Sequence, residues 1–101
     1  MPITVTSRDS ALTIALSGEI DHHSAREMMS QLDDAIATRL PARLVLDMSA
    51  VTFMDSSGIA VLLRALRQMQ HTGGTLRVTS IPAQARRVLD AAGVGRLITL
   101  E

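Results

Sequence analysis

The sequence has no cysteine, no lysine, no tryptophan and no tyrosine, and its single aromatic ring is Phe53. Without cysteine there is no disulfide, no thiolate metal site and no cysteine nucleophile. Without lysine there is no P-loop lysine, no Schiff-base lysine and no lysine of the kind phospho-aspartate receivers rely on. One ring makes no platform for stacking single-stranded bases. An excess of either charge is missing too. Ten arginines balance ten aspartates and glutamates, for a formal net charge of +0. Duplex binding leaves a basic footprint, so no direct contact with nucleic acid is expected. The longest unbroken apolar run, Ile59 to Leu63, falls far short of a membrane span. The opening MPITVTSRDS lacks the basic and apolar regions of a secretion signal. These absences predict a cytoplasmic protein with no membrane partner.

What is present suffices for one domain over residues 1–101. Apolar residues make up 47% of the chain, an ordinary globular share. Surface scaling gives roughly 15,700 Å² for the unfolded chain and roughly 5,500 Å² for the folded one, so a core can form without staples. The apolar pattern changes period along the chain. Ile3 to Thr6 and Leu12 to Ser17 alternate and read as a hairpin around Arg8-Asp9-Ser10. Gly18 is expected to end the second strand. From Ala25 the period is helical, through Met28, Met29, Leu32, Ala35 and Ile36, with Ser24 and Glu27 as a capping box and Pro41 as the stop. Leu44-Val45-Leu46 is apolar on both faces and reads as the most interior strand. Residues 47–54 read as a connection of mixed character. A second helix follows with Ile59, Leu62, Leu63, Leu66 and Met69 inward, ended by Gly73-Gly74. Leu76 to Thr79 is a fourth strand. Pro82 opens a third helix, with Ala85, Val88, Leu89 and Ala92 inward, and Leu97 to Leu100 is a last strand. The order β-β-α-β-α-β-α-β predicts an α/β fold: a five-stranded mixed, mostly parallel sheet with its helices mainly on one face.

Two loops that leave strands and open helices carry the polar chemistry. Asp55-Ser56-Ser57-Gly58 stands before the second helix, where Asp and Ser can cap the first amides. The same place suits a phosphoserine, because helix N-terminal amides and the dipole accept added negative charge. Asp21, His22 and His23 lie on the neighbouring loop. With Ser56 or Ser57 they compose a Ser-His-Asp set, but no G-x-S-x-G elbow accompanies it. A metal site from Asp21, His22, His23 and His71 is disfavoured, since adjacent His side chains diverge and no i, i+4 pair exists. Phe53 and Met54, beside the serine turn, suggest an apolar contact patch. Arg64 and Arg67 lie off the buried stripe of the second helix, as Arg86 and Arg87 do on the third.

The stretches Gly18-Glu19-Ile20-Asp21-His22-His23-Ser24-Ala25 and Phe53-Met54-Asp55-Ser56-Ser57-Gly58, at this separation, resemble the STAS domain. Within it the chain is similar to stand-alone anti-sigma-factor antagonists. The resemblance takes in nearly the whole chain, including Gly73-Gly74 and Ala91-Ala92-Gly93-Val94. It implies a partner switch without enzymatic activity or cofactor. The unphosphorylated protein would bind an anti-sigma factor that is itself a serine kinase, and so free a sigma factor. Phosphorylation of the first serine of the D-S-S-G motif, here Ser56, would inactivate it, and a metal-dependent PPM-type phosphatase would reverse this. Asp21 matches the family's acidic residue near the acceptor, and Asp55, Ser57 and Gly58 match its surroundings. The partner-facing set that follows is Asp21, His22, His23, Phe53, Met54, Asp55, Ser57 and Gly58. The family also holds non-cycling docking subunits, in stressosomes and in lipid-transport ATP-binding cassette systems. On the residues themselves, Ser57 is expected to engage its hydroxyl with the backbone of the helix start.

Overall fold

A computed structural model describes residues 3–8 and 10–101. In chain order the elements are β1 (Ile3–Arg8), β2 (Ala11–Ile20), α1 (His22–Arg39), β3 (Arg43–Met54), α2 (Ser57–His71), β4 (Thr75–Thr79), α3 (Ala83–Ala91), a 3-10 turn (Val94–Arg96) and β5 (Thr99–Leu100). The sheet runs β1-β2-β3-β4-β5, antiparallel at β1 and β2 and parallel thereafter. The β3 strand is thus central, as its doubly apolar start predicts. Residue Arg8 pairs with Ala11 across the hairpin; Asp9 of the expected turn lies outside the described residues.

The register explains the single core. Leu12, Leu44 and Leu76 lie side by side across three strands, as do Ile14, Leu46 and Val78, and all six are buried. The opposite face carries Thr13, Val45, Asp47, Thr75 and Arg77, half-buried or exposed. Helices over one face leave this alternation, whereas helices on both would make every strand apolar throughout. Ala25, Met28, Leu32 and Ile36 of α1, Val61, Leu62, Ala65 and Met69 of α2, and Ala85 and Leu89 of α3 complete the core. The molecule measures 19 Å along its shortest axis, the thickness of a sheet with one helix layer.

Four boundaries differ from the sequence expectation. Residues 47–54 are not a connection but the second half of β3, and β2 does not end at Gly18 but continues to Ile20. The two extensions pair with each other through two register shifts. Ala15↔Asp47 is followed by Ser17↔Ala50, and Gly18↔Val51 by Glu19↔Phe53, so β3 holds one extra residue at each step. Its buried positions become Met48, Val51 and Met54, a spacing of three that matches neither a flat strand nor a helix. Gly18 supplies the left-handed φ of 81° at this bulge. Helix α1 starts at His22, three residues before the helical period shows. In α2 the deepest line runs through Gly58, Val61, Leu62, Ala65 and Met69, with Ile59, Leu63 and Leu66 half-buried beside it. The last strand keeps only Thr99–Leu100, because the Leu97 and Ile98 N–H groups both donate to Val94 O, at 2.9 and 3.0 Å, in the preceding turn.

Candidate functional site

The long β2–β3 pairing sets the site. Ile20 pairs with Met54 at the far end of both strands, so α1 and α2 begin side by side. The Asp55 N–H donates to Ile20 O at 3.1 Å and ties the two loops together. At the mouth of α1 the cap is Asp21, not Ser24. Asp21 Oδ1 accepts from the His23 N–H at 3.0 Å and the Ser24 N–H at 2.9 Å. The Asp21 N–H returns a bond to Ser24 Oγ at 3.1 Å, and the Ser24 hydroxyl donates to Glu19 O at 2.6 Å. This is a reciprocal capping box in which Ser24 holds the third helical position. The Ser24 N–H, followed by the Ser24 hydroxyl beside it, holds the Asp21 carboxyl below the usual aspartate range.

The mouth of α2 is built on Asp55. Its Oδ1 accepts from the Ser57 N–H at 2.7 Å, while Asp55 O and Ser56 O accept from the N–H groups of Gly58 (3.0 Å) and Ile59 (3.1 Å). Ser56 is exposed and Ser57 half-buried. Among the described residues neither serine hydroxyl has a hydrogen-bond partner. The expected backbone bond from the Ser57 hydroxyl is therefore absent: Asp55 already fills the amide it would compete for. Met54 and Gly58 differ from expectation as well. Met54 is fully buried, and a Cβ on Gly58 would overlap Met54 Cγ and Sδ. Both are buried and support the turn from inside, where an exposed contact patch was expected. Phe53, 43% exposed, is the large apolar side chain this edge leaves open to solvent.

A residue that sequence reasoning missed completes the turn. Pairing of β3 with β4 stops at Asp47↔Thr79, which leaves the end of β3 without a strand on that side. The Gln84 side chain of α3 takes the strand's place. Its Oε1 accepts from the Met54 N–H at 2.8 Å and its Nε2 donates to Met54 O at 2.8 Å. No local pattern announces this, since a glutamine in a first helical turn is ordinary.

Between the first halves of α1 and α2 lies a groove of about 510 Å³ lined by His22, Arg26, Met29 and Asp33 on one side and Ser57, Ala60 and Arg64 on the other. Arg64 meets Asp33 in a two-pronged ion pair, Nε and Nη2 to Oδ2 at 3.0 and 2.7 Å. The Asp33 carboxylate raises the Arg64 guanidinium above its usual range. Asp33 has no sequence signal of its own; Arg64 shows one in standing off the buried stripe. His22 and His23 are exposed, and His22 shares the groove with Ser57. The structure brings Asp21, His22, Asp55 and Ser57 to one edge, but the Asp21 carboxylate faces its own helix amides and no hydrogen bond joins either serine to a histidine. Among the described residues no three His, Cys, Asp or Glu gather as a metal-holding group. No described helix is long and apolar enough to cross a membrane.

A family model described as the STAS domain matches residues 2–101. The chain belongs to the STAS domain family. Among its STAS relatives, a Paenibacillus polymyxa protein named anti-sigma F factor antagonist is 34% identical over 89 residues, spanning 88% of this chain and 76% of the relative. The anti-sigma factor antagonist SpoIIAA in its unphosphorylated form is 22% identical, with a TM-score of 0.82 over 98% of this chain and 87% of that one. The Bacillus cell fate determinant SpoIIAA in its phosphorylated form is 22% identical, with a TM-score of 0.73 over 98% and 90%. At that identity the SpoIIAA likeness establishes the fold. Within this STAS fold the serine turn projects where β3 hands over to α2, braced by β2 on one flank and α3 on the other.

Proposed function

We propose that this chain is an anti-sigma-factor antagonist whose partner binding is switched off by phosphorylation of Ser56. The observation that carries the reading is the exposed, unbonded Ser56 hydroxyl at the mouth of α2, on a turn whose backbone is already held by Asp55, Ile20 and Gln84. The Paenibacillus polymyxa relative's name supports the antagonist role, and SpoIIAA, which shares the fold, exists in phosphorylated and unphosphorylated forms. The partners are an anti-sigma factor with serine kinase activity and a PPM-type phosphatase, and the place of action is the cytoplasm. The chain is the substrate of this chemistry and not an enzyme. The contact surface is the exposed edge around Ser56, with His22, His23 and Phe53 standing out and Asp21, Asp55 and Ser57 half-buried between them.

Magnitudes favour a switch in binding over a switch in fold. A phosphate adds about −1.5 to −2 of charge. At a helix N-terminus it gains about 0.3–1 kcal/mol from the dipole, and Asp55 beside it opposes that gain. Buried in an interface without a cation, the same dianion costs several kcal/mol. The interface term is the larger. The test is incubation of wild type, Ser56→Ala and Ser57→Ala with the cognate kinase and ATP, read by intact mass. Wild type and Ser57→Ala should each gain one phosphate and Ser56→Ala none. A phosphate on Ser56→Ala but not on Ser57→Ala overturns the assignment. No phosphate on any of the three would favour a non-cycling docking subunit.

A further inference from the structure

We infer that Gln84 is the positioning residue of the serine turn. The bulged end of β3 has lost its β4 neighbour beyond Asp47. Met54 is the last residue of that strand and Asp55 begins the turn. An unpaired N–H and C=O at this buried residue would leave the turn free to sway. The Gln84 amide supplies one acceptor and one donor, 2.8 Å each, in the pattern a neighbouring strand would offer. Its own placement is fixed. Ser80 adopts a left-handed φ of 56° between β4 and α3, a conformation that a non-glycine residue keeps only where its surroundings impose it. Pro82 then caps α3 with extended backbone, and Ala85 and Leu89 anchor the helix in the core. Met54 is in turn locked under Gly58. One chain of contacts thus runs from α3 through Gln84 and Met54 to the mouth of α2, where Ser56 holds the N-cap position and Ser57 begins the helix.

The role in presenting Ser56 rests on the proposed function, whereas the clamp itself does not, and the experiment separates them. Gln84→Met removes both hydrogen bonds at similar volume. Gln84→Glu keeps an acceptor for the Met54 N–H and loses the donor to Met54 O at neutral pH. Amide hydrogen exchange of the unmodified protein alone should speed up at least tenfold at Met54, Ser57 and Gly58 in Gln84→Met, and less in Gln84→Glu. The central-strand amides of Ile14 and Leu46 should stay at wild-type rates. With the cognate kinase, kcat/KM for phosphate transfer to Gln84→Met should fall several-fold and be partly restored in Gln84→Glu. Unchanged exchange at Met54 and Ser57 in Gln84→Met overturns the clamp. A uniform rise across Ile14 and Leu46 overturns it too, by making Gln84 a general stability residue. Faster exchange in a variant phosphorylated as efficiently as wild type keeps the clamp and overturns its role in presenting Ser56. If wild type takes no phosphate, the functional reading fails while the exchange result still decides the clamp.

Discussion

Asp21 carries two duties that its position makes compatible. Its carboxylate caps α1 through the His23 and Ser24 amides, and its backbone lies on the same edge as the serine turn. Because the folded carboxyl titrates below its unfolded value, the stabilisation it gives is present above the ordinary aspartate range and is lost as pH falls through the folded value. Asp21→Ala should therefore melt a few degrees below wild type at neutral pH. The two melting curves should converge when thermal midpoints are followed from about pH 7 to about pH 2. A gap that stays constant with pH would mean the carboxylate charge has no part in the cap. At this scale the sequence was legible where chemistry is local. Asp55 beside Ser56 and Ser57 announces a helix start, and Asp55 does cap α2 through the Ser57 N–H. The roles of Met54, Gly58 and Gln84 were hidden, because they depend on which side chains meet across 4 to 30 positions of chain.

The elements were legible wherever one period ran long enough. The hairpin, α1, α2, β4 and α3 follow from alternation or helical stripes, and the parallel pairing of the later strands follows from the helices between them. The paired ends of β2 and β3 were not legible. Two bulges set the buried residues of β3 three apart, and a period of three has no regular element to point to. Those bulges matter for function, since they carry both strands on to Ile20 and Met54 and set the two helix mouths together. Gly18 is the residue that allows the second of them its geometry. A Cβ added at Gly18 meets nothing within 4 Å, so the cost of Gly18→Ala is conformational. It should lower stability by about 1–2 kcal/mol, measured by urea unfolding. A neutral substitution would show that the left-handed φ of 81° is not required there.

For the whole molecule, the accessible surface of 5722 Å² is close to the roughly 5,500 Å² that chain mass predicts. The domain is therefore ordinarily packed, and among the described residues no charged or polar residue is buried in the core whose state a phosphate could change. Ser56 stands exposed outside that core, so the proposed switch acts at the interface. Fold class was readable because β2, β3 and β4 bury alternate residues over most of their length, with helical stripes between them. The family was readable only through the likeness of two loops in register, since nothing in the charge or hydropathy of the chain specifies what it binds. The most direct test is calorimetric titration of the organism's own anti-sigma factor with unphosphorylated chain and with chain fully phosphorylated on Ser56, alongside thermal melts of both forms. Phosphate should weaken binding at least tenfold, about 1.4 kcal/mol or more, while both forms melt within a few degrees of each other. Equal affinity for the two forms, or loss of affinity explained by an unfolded phosphoprotein, would contradict it.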